Sequence, residues 1–207
     1  MTDWVGRGEE LAGAHLDEQR HVFELMLRAS PTVIAVLEGA RGLALPDWYL
    51  AAGVLFQTVW NHLTGRPLDA GIRDADLFYF DASDLSYEAE DAVIVRAAER
   101  FAASPVPVEV RNEARVRLWY EQKFHRPCPD YTSTASAIDS FAATTCCLGV
   151  RLLDDDRLQV YAPHGFSDLF AMRLRPNTAY PLDEVYAAKA ARYVSAWPSL
   201  RVLLWAT

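Results

Sequence analysis

Residues 73–80 read Arg73-Asp74-Ala75-Asp76-Leu77-Phe78-Tyr79-Phe80, and this stretch decides how the rest is understood. Its aromatic and branched residues predict a buried strand over 75–80. Side chains two apart on a strand share a face and stand about 7 Å apart along the backbone. Asp74 and Asp76 therefore aim two carboxylates at one region. Like charges so placed repel unless a proton or a cation intervenes. Magnesium, or manganese in its place, takes hard oxygen ligands and keeps positions for water and phosphate. A D-x-D at a loop–strand junction is also a common solvated turn pair, so a third acid matters.

Working outward, Val108-Glu109-Val110 lies in a second predicted strand over 106–110. Its apolar neighbours alternate with Glu109, which then faces away from them. Beside the first strand, Glu109 joins Asp74 and Asp76, and three acids can support two metals about 4 Å apart. Upstream, helices are expected over 16–29, over 31–40 behind the Ser30-Pro31 start signal, and from Pro46-Asp47 to Gly65 with Asp47 as cap and Gly53 inside. Residues 1–15 read as a lead-in. Between the acid strands, Ser86 caps a helix to about 103, with Glu88 and Glu90 at the positive end of its dipole.

Downstream, a helix over 112–123 precedes a Pro-rich loop, HRPCPDYTS. Strands follow over 144–153, 158–162 and 170–174, then a helix over 182–196 and an apolar tail that is either an interface or a last core strand. The fold class is α+β (mixed α/β), a central sheet flanked by helices with a C-terminal hairpin and helix. We expect residues 1–125 to be the core and 126–207 an extension packed on it, together one compact domain.

Composition narrows the function. The formal net charge is −8, which repels a polyanion on average and makes general DNA binding a poor fit. Cys128, Cys146 and Cys147 have neither zinc spacing nor a disulfide framework, as expected of reduced thiols in a cytoplasmic protein. The N-terminal residues lack the pattern of a signal peptide, and no apolar run is long enough to span a bilayer. P-loop, GxGxxG and GxSxG signatures are missing.

The stretches DWYLAAGVLFQTVWNHLTG, IRDADLFYFD, SYEAED and VEVRNEARVRLWY, with the later AATTCCLGVRL and YAPHGFSDLFAMRLRPN, resemble a bacterial nucleotidyltransferase-like family of the polymerase-beta-type superfold. The resemblance covers roughly residues 45–178. It implies a nucleoside triphosphate substrate, and metal acids at Asp74, Asp76 and Glu109. It also implies a phosphate-cradling Gly-Ser pair at a helix start, for which Gly53-Val54 is the nearest match. The serine is missing, and the spacing to Asp74 is longer than usual.

Other residues have two readings each. Arg73 contacts a phosphate or pairs with the acids, and Arg115 reaches phosphate or points elsewhere. Gln57 and Asn61, four apart on one helix face, line the pocket or are surface polarity. Asn112 caps a helix, Trp119 and Tyr120 belong to a core, and His164 and Asp168 occupy a turn that either helps bind the acceptor or is structural. Three functions are then open: a metal-dependent transferase placing an NMP from an NTP on an acceptor hydroxyl with release of pyrophosphate, a nucleotide-binding relative without turnover, and a non-enzymatic interaction domain. The acceptor, the preferred base and the oligomeric state are not legible.

Overall fold

Leu50 and Leu77 are completely buried, and they sit opposite one another on paired strands at the middle of the molecule. The computed structural model describes residues 3–205. Five strands form one sheet in the order β3-β2-β1-β4-β5. They are β1 (Tyr49–Ala51), β2 (Ala75–Tyr79), β3 (Val108–Asn112), β4 (Gly149–Leu152) and β5 (Leu158–Tyr161). β2 and β3 run parallel, while the other neighbours are antiparallel. The mixed sheet flanked by helices is the α+β class expected. Residues after 125 contribute β4 and β5 to this same sheet.

A parallel pair needs a long crossover, which α5 (Tyr87–Arg100) supplies. Ser86 caps α5 by accepting a bond of 3.2 Å from the Ala89 N–H. α2 (Leu16–Arg28) and α3 (Pro31–Leu43) also form where the helical spacing predicts, and the Ser30 hydroxyl accepts from Val33 N–H at 3.3 Å. α9 (Asp183–Ala196) follows Pro181.

Several expectations are overturned. No helix opens at Pro46-Asp47. Residues 49–51 are β1, the middle strand, and α4 (Gly53–Thr64) begins only after it. A short apolar run buried on both faces has no periodicity to separate strand from helix. Asp47 does not start a helix here; its carboxylate accepts from the Thr134 N–H at 2.7 Å. Gly53 stands at the start of α4 rather than inside it. The lead-in contains α1 (Gly8–Ala12), and α7 (Thr134–Asp139) follows the Pro-rich loop, fixed by a capping box at Ser133 and Ser136.

The helix expected over 112–123 is a 3-10 turn over Glu113–Leu118 followed by α6 (Tyr120–Phe124). Asn112 does cap the turn, its side-chain oxygen accepting from Ala114 N–H at 3.1 Å. The strand expected from 144 starts at Gly149, after a 3-10 turn over Thr144–Cys146. The strand expected over 170–174 divides into α8 (Ser167–Phe170) and β6 (Arg173–Leu174). The apolar tail supplies β7 (Arg201–Val202), parallel to β6. No helix among the described residues is long and apolar enough to cross a membrane.

α4 and α9 lock together through aromatic rings. Phe56 and Trp60 meet Tyr193 at centroid distances of 5.3 and 5.8 Å, and Trp60 meets Trp197 at 5.4 Å. Asn61 ties this cluster to the loop before β2. It is fully buried, donates to Leu68 and Ala70 carbonyls at 2.8 and 2.9 Å, and accepts from the Trp197 indole at 3.0 Å. It is neither surface polarity nor a pocket residue but an interior clamp. Asn61→Leu strands two carbonyls and an indole N–H, so it should destabilise the fold by about 3 kcal/mol; chemical denaturation giving a loss below about 0.5 kcal/mol would contradict the clamp.

Candidate functional site

The register across β1, β2 and β3 builds the site. Ala51 lies opposite Asp76, and Asp76 lies opposite Glu109. In β2, Ala75, Leu77 and Tyr79 are buried, while Asp74, Asp76 and Phe78 alternate with them on the other face. In β3 the same alternation carries Glu109 and Arg111. The acids thus share one face, and Ala51, the smallest chiral side chain, leaves room beside Asp76.

Burial above all, then the charge of Asp74, raises the Asp76 carboxyl to about 6, with Lys189 on α9 opposing the shift. Glu109 is more open, and its carboxylate lies 3.8 Å from the Arg111 guanidinium. Among the described residues no three His, Cys, Asp or Glu side chains converge closely enough to form a ready-made metal cluster. Asp74 and Asp76 nevertheless offer the hard oxygen set that a divalent cation takes, and a cation would relieve the repulsion that lifts Asp76. Glu109 stands in the adjoining register position, turned toward Arg111.

Two cavities lie on either side of this row, following β2 in one direction and α9 in the other. Toward the start of β2 is a space of about 400 Å3 bordered by Gln57, Arg73, Arg192 and Ser195. The Gln57 side-chain oxygen is buried there without a hydrogen-bond partner. Turning the amide over would present its N–H2 instead. A Cβ on Gly53 would approach the Gln57 amide nitrogen to 2.7 Å, so glycine at 53 lets Gln57 fold back over the start of α4. First-turn N–H groups, including those of Gly53 and Val54, have no acceptor within their own helix. The Val54 side chain itself is in the core. Ala52, just before, has φ 54 and ψ −127, a conformation that glycine adopts far more readily.

Toward the end of β2 is a cavity of about 350 Å3 with Asp76 at its edge. Phe78, Trp119, Tyr120, Phe124 and Phe141 give it aromatic walls, and Arg111, Lys123 and Lys189 give it cations. Tyr120 is buried in a core cluster as expected, with Trp119 packed against it, and both also border this cavity. Glu113 also lines it, with only 6% of its surface exposed. Its carboxyl makes no hydrogen bond or ion pair among the described residues. Burial pushes it up to about 8 against the pull of Arg111, with Asp76 and Glu90 adding to the rise.

Arg73 is exposed at the mouth of the basic cavity. Arg115 is not brought to the site: it pairs with Glu90 and donates to the Leu85 carbonyl at 3.0 Å. Asp168 pairs with Arg175 at 2.5 Å, and His164 is exposed. Sequence reasoning missed Arg111, Glu113, Lys189 and Arg192. The first two continue the two-residue alternation from Glu109 and could have been found from it. The α9 cations carry no such signal, because only packing shows which side of that helix meets the acids.

Residues 38–202 match the model of a family described as nucleotidyltransferase. The chain belongs to that family, whose chemistry is nucleotidyl transfer from a nucleoside triphosphate. A solved NMR structure, described as revealing a CCA-adding enzyme head domain, is similar with a TM-score of 0.70 and 24% identity, over 93% of this chain and 98% of that one. At that identity the likeness shows the fold, which is of the nucleotidyltransferase type. No curated protein matches the chain.

The Glu113 environment has a measurable consequence for stability. A carboxyl raised to about 8 when folded and near 4.5 when unfolded keeps its proton longer in the native state. Stability is then complete below about pH 4.5 and falls as pH rises toward 8, by at most about 1.4 kcal/mol per pH unit. Glu113→Gln should remove this slope and raise the melting temperature at pH 8 relative to wild type. Parallel melting curves for the two proteins between pH 5 and 8 would contradict the assignment.

Proposed function

We propose that this chain is a metal-dependent nucleotidyltransferase that transfers an NMP from an NTP to an acceptor hydroxyl. The observation that carries the reading is the row of Asp76 and Glu109 in register, with Asp74 on the same face, between a basic cavity and an aromatic one. Asp74 and Asp76 would hold magnesium or manganese, and Glu109 would complete the set on the acceptor side. Bound there, the metal would neutralise phosphate charge and acidify the acceptor hydroxyl.

The chain's own groups have distinct tasks. First-turn N–H groups at Gly53 and Val54, with Gln57, Arg73 and Arg192, receive the phosphates of the NTP. The acceptor oxygen attacks the α-phosphorus. Its new P–O bond forms as the bond to the bridging oxygen of pyrophosphate breaks, and Glu109 takes the hydroxyl proton. Lys189 offsets negative charge near Asp76. Arg115, held by Glu90, has no part in this scheme.

The similar structure's CCA-adding character is not carried over as a substrate, because a net charge of −8 disfavours a polyanionic RNA. We place the protein in the cytoplasm, where NTPs are available. One observation favours a second reading, nucleotide binding without turnover: Val54 stands where the superfold has a phosphate-binding serine, and Ala52 precedes it in a conformation suited to glycine.

Calorimetric titration of each NTP with magnesium, manganese or EDTA tests the reading. Binding should require metal, and Asp76→Asn should weaken it about tenfold or more while leaving the protein folded. Equal affinity in the mutant would remove Asp76 from the site. Metal-dependent binding without pyrophosphate release on any acceptor would select the second reading. Because Asp76 must lose its proton to hold a cation, manganese affinity should also drop below about pH 6, by about tenfold per pH unit; a flat profile from pH 5 to 7 would contradict this role.

A further inference from the structure

The two cavities differ in character, and their placement assigns them roles once the transfer reading above is accepted, on which this inference rests. Phosphoryl transfer puts the attacking and leaving oxygens roughly in line through phosphorus. Pyrophosphate leaving toward Gln57, Arg73 and Arg192 requires the acceptor to arrive from the opposite side. Along β2 that side is Phe78, and along α9 it is Val185, one turn before Lys189; both border the aromatic cavity. Glu109 on β3 lies opposite Asp76, beside Arg111, which borders the same cavity.

We propose that the aromatic cavity beside Asp76 is the acceptor site, and that it takes a small, ring-bearing alcohol without positive charge, oriented by the Glu113 carboxyl. The volume of about 350 Å3 is at the small end of ligand pockets. Phe78 and Phe141 meet edge-on at 6.0 Å, and with Trp119 they provide faces for a planar or puckered ring. Glu113 is more than nine-tenths buried and otherwise without a partner. A carboxyl so placed opens into the cavity, where water or a ligand can satisfy it. Held neutral, it presents an O–H donor beside a carbonyl acceptor, which suits a heterocycle edge or a pair of ring hydroxyls. Arg111, Lys123 and Lys189 around the opening disfavour a cationic acceptor such as an aminocyclitol.

The test separates acceptor from nucleotide on the full chain. Non-hydrolysable analogues of the four common NTPs are titrated with magnesium into wild type, Asp76→Asn, Glu113→Gln, Glu113→Leu and Val185→Trp, the last filling the cavity from a half-exposed position. Adenosine and a neutral phenol are then compared with a polycationic aminocyclitol for binding and for pyrophosphate release. Nucleotide affinity should stay within about twofold in the Glu113 and Val185 variants. Ring-alcohol binding and turnover should fall about tenfold or more in Glu113→Leu and Val185→Trp, and persist in Glu113→Gln, which keeps the donor and acceptor. Loss of nucleotide affinity in Val185→Trp or Glu113→Leu as large as in Asp76→Asn would overturn the proposal and make this the nucleoside pocket. Ring alcohols that neither bind nor react in a wild type that binds nucleotide with metal would overturn it while leaving the transfer reading intact. A wild type that binds no nucleotide removes the transfer reading and the proposal with it.

Discussion

Everything at this site depends on the pairing that places Ala51, Asp76 and Glu109 side by side on three neighbouring strands. Strand side chains alternate strictly, so a one-residue slip in β2 would bury both aspartates against the helices and turn Leu77 to the open face. The hydrophobic half of β2 prevents this. Ala75, Leu77 and Tyr79 are buried, and their burial fixes the register from the side opposite the chemistry. The core thereby sets the geometry of the acids without touching them.

That geometry leaves the acids electrostatically unsettled. Asp76 is raised by burial and by Asp74, and Glu113 by burial first, with Asp76 and Glu90 adding, against the nearby Arg111. Cations from β3 and α9 stand around them without pairing tightly, apart from the loose contact of Arg111 with Glu109. Carboxyls perturbed in this way, clustered between two cavities, mark a place that a fold would not build for stability. The contrast with Arg115 and Glu90 is instructive, since that pair is closed on itself and serves to join α5 to the turn after β3.

The legible parts of the fold were those with redundant local signals. α3 carries the Ser30-Pro31 start signal and α5 the Ser86 cap with Glu88 and Glu90 in its first turn, and both formed as expected. β1 carries three apolar residues with no period, and the helix start signal at Pro46-Asp47 just before it is overridden by strand pairing. The reversal is made by Ala52, whose positive φ comes from strand pairing rather than from any local preference of alanine. The turn and helix replacing the expected 112–123 helix, and the division of 170–174, reflect packing in segments too short to hold a regular element alone.

The sequence by itself determined the mixed fold class, the acid strand with Asp74 and Asp76, and the second strand with Glu109, because each rests on spacing within a few residues. Only the tertiary structure decided that Asp76 and Glu109 are neighbours, that Arg115 turns away, and that Gln57 faces a basic cavity while Asn61, four residues on, clamps the core. It also brought Lys189 to Asp76, and Arg192 to the cavity of Arg73, across more than a hundred residues of chain. The physical reason is that a side chain's identity and its local direction are written along the backbone, whereas its partners depend on which faces are buried against which, a property of the whole packed molecule.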